Sequence, residues 1–81
     1  MEIKVLGPGC ANCKKLESMA KEIVQEMALD AAVSKVTDIK EIAKAGVLMT
    51  PGLLIDGEVK MSGKVPSKAE LTQIITSALD S

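Results

Sequence analysis

The 81-residue sequence contains no phenylalanine, tyrosine or tryptophan, and no histidine. Its core must therefore be built from Ile, Leu, Val, Met and Ala, which an apolar share of 47% allows. The missing aromatics remove the platforms on which single-stranded nucleic acids stack, and a net charge of -1 gives no pull toward a phosphate backbone. Nucleic acid is therefore not an expected partner. No run approaches the roughly 18 apolar residues that cross a bilayer. MEIKVLGPGC at the amino end also lacks the apolar stretch of a signal peptide, so the expected setting is the cytoplasm, with no membrane partner. The length suits one domain, residues 1–81, near the lower limit for a self-sufficient aliphatic core.

Cysteine is scarce too. Cys10 and Cys13 are the only two, in the stretch GPGCANCKK. A pair this close in the chain restricts an unfolded polypeptide poorly, and a reducing compartment keeps such a pair mostly as thiols, so stapling is a weak explanation. Structural zinc needs four ligands; without His or a third Cys it would require carboxylates or a second chain, and no metal is assigned. Redox chemistry and soft-metal binding remain. Two small buried hydrophobes would be the bland alternative, but glycines precede the pair and lysines follow it.

The surrounding pattern places the pair. Glu2 to Leu6 reads as a strand ended by Gly7-Pro8-Gly9. From Ala11 to about Ala28, Leu16, Met19, Ala20, Ile23, Val24 and Met27 recur at helical spacing, so Met19 and Met27 are read as core rather than metal ligands. Ala32 to Val36 is a second strand. Asp38 with Glu41 has the form of a capping box opening a short helix that Gly46 ends. Leu53 to Ile55 and the alternating Glu58 to Ser62 flank an Asp56-Gly57 hairpin signal. Ser67 and Glu70 cap a last helix whose apolar face is Leu71, Ile74, Ile75, Ala78 and Leu79. The order is βαβαββα: an α/β fold with a four-stranded mixed sheet and helices on both faces.

Cys10 then stands at a helix start, where unpaired amides and the positive end of the helix dipole stabilise a thiolate, the nucleophile of disulfide exchange. Cys13, one turn later, can attack a mixed disulfide on Cys10 and release the partner. A Cu(I) carrier is the alternative, because heavy-metal-associated domains also set CxxC between a first strand and helix. Those domains run βαββαβ and finish on a strand, whereas Ser67 to Leu79 is amphipathic at helical period and follows the Asp56-Gly57 hairpin.

With CxxC after the first strand and Thr50-Pro51 before the third, the whole chain resembles a minimal thioredoxin-like domain. More narrowly it is similar to the short archaeal and bacterial thioredoxin or glutaredoxin-like redox-active disulfide proteins, in which a Gly-Cys-x-x-Cys helix start and a Pro-Gly-Leu-x-x-Asp-Gly-Glu segment recur. The resemblance implies a protein dithiol-disulfide oxidoreductase with Cys10 and Cys13 catalytic. It further implies a cis Thr50-Pro51 facing them, and substrate contacts from Gly9, Ala11, Asn12, Thr50 and Pro51. Gly52 would let the chain enter the third strand with no side chain near the site. The expected partners are a thioredoxin-reductase-type electron donor and protein disulfides; the protein is expected to be a monomer with no bound cofactor. Two departures stand out. Gly9 precedes Cys10 where larger thioredoxins carry Trp. In the first strand Glu2 is far from the cysteines and Lys4 has the wrong charge to replace the buried acid that accepts a proton, so Cys13 needs water or another acid.

Overall fold

The structure, a computed structural model, describes residues 1–9 and 11–79. Among these residues the order is β1 (Glu2–Leu6), α1 (Ala11–Glu26), β2 (Ala32–Val36), α2 (Ile39–Lys44), β3 (Gly52–Ile55), β4 (Glu58–Ser62) and α3 (Lys68–Leu79). The sheet runs β2-β1-β3-β4, with β1 parallel to β2 and antiparallel to β3, and β3 antiparallel to β4. This is the expected mixed sheet. The last described element is a helix, α3, and a second helix, α2, separates β2 from β3, whereas a heavy-metal-associated frame pairs those two strands directly and finishes on a strand.

Alternation along the strands sorts side chains to two faces. Ile3, Val5, Leu53 and Ile55 point to one, where they pack with Leu16, Ala20 and Ile23 of α1 and Leu71 and Ile75 of α3. Leu6 and Leu54 point to the other and meet Ile42 of α2 and Val47 beyond it. α1 and α3 are also tied at the surface, where Lys68 Nζ lies 2.5 Å from Glu26 Oε2 and 3.6 Å from Glu22 Oε2.

Local signals end the elements largely as expected. Ser67 and Glu70 form a reciprocal box: Glu70 N donates to Ser67 Oγ at 3.2 Å, and Ser67 N to Glu70 Oε1 at 3.4 Å. Asp38 caps α2 through Lys40 N at 2.8 Å, while Glu41 turns instead to Lys44, 3.9 Å away. Asp56 and Gly57 both have positive φ, 50° and 84°, as a tight hairpin of this hand requires. Asp56 also binds the start of β1, accepting from Glu2 N at 2.7 Å and donating its own N–H to Glu2 O at 2.8 Å.

Three details differ from the sequence reading. α1 stops at Glu26 rather than near Ala28, because the chain closes in a Schellman turn: Leu29 N donates to Val24 O and Ala28 N to Gln25 O. Ala28 takes the left-handed position at φ 51° without being glycine, and Met27, expected on the apolar stripe, is 38% exposed. In β4 a register shift places Met61 opposite Leu53 but Val59 opposite Leu54. The bulge sends the two apolar residues to opposite faces, so Met61 packs on the large core and Val59 is exposed. Leu79, read as buried, is 45% exposed at the end of α3.

Candidate active site

β1 delivers the chain to the site at its carboxyl end. Gly7, buried directly after β1, donates its N–H to Val36 O at 2.9 Å, which fixes the loop to the neighbouring strand. Pro8 and Gly9 are exposed, and Gly9 has φ 93°, a region in which a side chain would be strained. Cys10 and the attacking role expected of it lie outside the described residues.

Cys13 is on the first turn of α1, 6% exposed and disulfide-bonded. Ala11 and Asn12, the residues between the two cysteines in the chain, are exposed on the same turn. Gly7 explains how Cys13 can be buried there. A Cβ on Gly7 would fall on Cys13 Sγ, and it would stand 3.7 Å from Thr50 Cβ. The missing side chain thus lets helix, strand end and the Thr50 loop converge on one point. The sequence reading took Gly7 only as a strand terminator, since nothing local announces a contact with a residue six positions on.

The Thr50–Pro51 peptide bond is cis. Pro51 is fully buried, Thr50 is exposed, and Pro51 O accepts from Gly63 N at 2.9 Å. Gly52 has a different reason from the one expected. A Cβ there would lie 2.6 Å and 2.8 Å from the two Val47 γ-carbons, so Gly52 makes room for Val47 beneath the sheet rather than for a partner at the site.

Two features of the site were not read from the sequence. One is an apolar groove of about 330 Å³ beside Thr50, lined by Pro8, Ile39, Ala43, Val47 and Leu48 among others. Its rim is unusually open: Leu48 is 92% exposed and Ile39 72%. The other is Glu17, one helical turn after Cys13, which lines a small cavity with Cys13, Gly7, Lys14 and Lys35. Lys14 and Lys15 are both exposed on α1, as the helical spacing implies, and Lys14 borders this cavity.

The comparisons agree with this geometry. Residues 1–76 match the thioredoxin domain family. A thioredoxin of Methanothermobacter thermautotrophicus is 43% identical over 76 residues, which cover 94% of this chain and 99% of that protein. A thioredoxin of Methanocaldococcus jannaschii is 37% identical over 78 residues, 96% of this chain and 90% of that one. Thioredoxin 1 from the thermophilic eubacterium Thermosipho africanus superposes with a TM-score of 0.66 at 20% identity, over 99% of this chain and 96% of its own, which is a likeness of fold. Sequence relatives and fold therefore make the chain a member of the thioredoxin domain family and a thiol-disulfide oxidoreductase.

Proposed function

We propose that the chain carries electron pairs from a reductase of the thioredoxin-reductase type to disulfides of protein partners, through a Cys10–Cys13 dithiol/disulfide couple. The Cys10 thiolate attacks one sulfur of the partner disulfide and expels the other, leaving a mixed disulfide. Cys13 then attacks the Cys10 sulfur, closes the intramolecular disulfide and releases the reduced partner. The reductase reverses this by returning two electrons.

The observation that carries the reading is the burial of a disulfide-bonded Cys13 on the first turn of α1, against Gly7 and beside Thr50. A sulfur this enclosed suits the resolving role, which needs reach to one neighbouring sulfur only; the attacking role needs exposure. The partner would lie along Gly9, Ala11, Asn12, Thr50 and Pro51, with the exposed Thr50 offering backbone groups in strand-like fashion. An apolar partner side chain fits the groove under Leu48 and Ile39. The lone cysteine pair suits a cytoplasmic monomer that is reduced and reoxidised in each turnover.

Separate serine replacements test the roles. Cys13→Ser should accumulate a mixed disulfide through Cys10, and Cys10→Ser should abolish attack. Limiting alkylation of the reduced protein should label Cys10 first; equal labelling, or preference for Cys13, would count against these roles.

A further inference from the structure

We propose that Glu17 is the proton acceptor for Cys13, acting through one water in the cavity that the two side chains share. The inference rests on the reading in which Cys10 attacks and Cys13 resolves.

Residues four apart on a helix lie on one face, their Cβ atoms roughly 5–6 Å from each other, so Cys13 and Glu17 are neighbours by helical geometry. Both line a cavity of about 10 Å³, together with Val5, Gly7, Lys14 and Lys35. That is about the volume one water centre occupies, and the lining supplies the polar partners a water needs. Glu17 is the one acidic residue lining it among the described residues. Its side chain is 17% exposed, against 55–73% for the other ion-paired glutamates, Glu2, Glu22, Glu26, Glu41 and Glu58. The charged groups facing it are lysines: Lys21 Nζ of α1 stands 3.7 Å from Oε2, and Lys14 of α1 and Lys35 of β2 border the same space. A transient thiolate and a carboxylate can share this cavity because cations surround it.

The chemistry requires such a group. Burial penalises a bare thiolate, yet Cys13 must lose its proton before it can attack. In the mixed disulfide, the proton leaves Cys13 Sγ through the water for the Glu17 carboxylate. The thiolate pair forms the bond to the Cys10 sulfur, the bond from Cys10 to the partner breaks, and the partner sulfur leaves with that pair and is protonated from solvent. Glu17 sheds its proton to solvent. The dithiol has lost two electrons and the partner disulfide has gained them. When a reductase opens the disulfide again, a proton returns to Cys13 by the same route.

Stopped-flow reaction of the reduced protein with dithiobis(nitrobenzoate) separates the steps, because attack by Cys10 releases a first coloured thiolate and resolution by Cys13 a second. Glu17→Gln should leave the first release unchanged and slow the second by about ten- to a hundredfold at neutral pH. The difference should narrow as pH rises, because hydroxide then removes the thiol proton directly. Glu17→Asp should recover part of the rate. A second release that Glu17→Gln leaves unchanged, or slows equally at every pH, overturns the proposal. Persistence of both releases in Cys13→Ser would instead overturn the assignment of Cys13 as resolving cysteine, and this proposal with it.

Discussion

Among the described residues, the sheet face under α1 and α3 buries nine residues in one cluster, whereas the face under α2 buries four. The contrast follows from helix length: α1 and α3 span 16 and 12 residues, α2 only six. A helix of under two turns cannot cover a sheet face, and a groove of about 260 Å³ stays open between α2 and the strands, bordered by Lys4, Leu6 and Leu54. The uncovered side also carries the exposed Ile39, Leu48 and Met49, next to Thr50. One face therefore supplies most of the stability, and the other leaves apolar surface open beside Thr50.

The comparison breaks most readily in the core. Leu53→Ala removes a fully buried side chain from the large cluster and should cost about 3–5 kcal/mol, whereas Ile42→Ala in the small cluster should cost about 2 kcal/mol. Urea unfolding of both variants checks this, and equal losses would show that the two faces contribute alike.

A smaller effect should separate function from stability. Leu48→Ser, at a residue 92% exposed, should change stability by no more than about 0.5 kcal/mol. It should nevertheless lower kcat/KM for a protein disulfide by about tenfold, equivalent to about 1.4 kcal/mol, while leaving reaction with a small aromatic disulfide unchanged. A variant that reduces both substrates like the parent would remove the apolar groove from the docking surface.

The smallest effect belongs to the surface tie between α1 and α3. The hydrogen bond from Lys68 to Glu26, reinforced by the charges of Glu26 and Glu22, raises the Lys68 ammonium above the ordinary lysine range. Because folding raises this pKa, the contribution is complete at neutral pH, falls as pH climbs past the unfolded lysine value, and is gone above the folded one. Lys68→Met should flatten that alkaline decline in stability. Its effect should also shrink with added salt, since the pair is exposed.

Much of this architecture is legible in short stretches. The Ser67–Glu70 box, the Asp56–Gly57 turn and the apolar stripe of α1 act between residues within a turn or two of each other, so the residues that cause the structure stand together in the chain. Contacts made by tertiary packing leave no such local signal. Ala28 holds a left-handed position that glycine would have announced, because Leu29 packs back with Val24 against the large core. Glu17 read as one more polar residue on a helix surface, and only the approach of β1 and β2 encloses it.

The sequence by itself determined the order of elements, the position of Cys13 at the start of the first helix and the aliphatic character of the core, since periodicity, capping and composition are local properties. The tertiary structure decided why particular glycines are needed and which side chains share a site. Gly7 is a strand terminator until α1 brings the Cys13 sulfur against it, and Gly52 is a strand residue until Val47 fills the space beneath it. Both depend on close packing between different elements of the fold, where a single methyl group has no room, and no pattern of residue types encodes that distance.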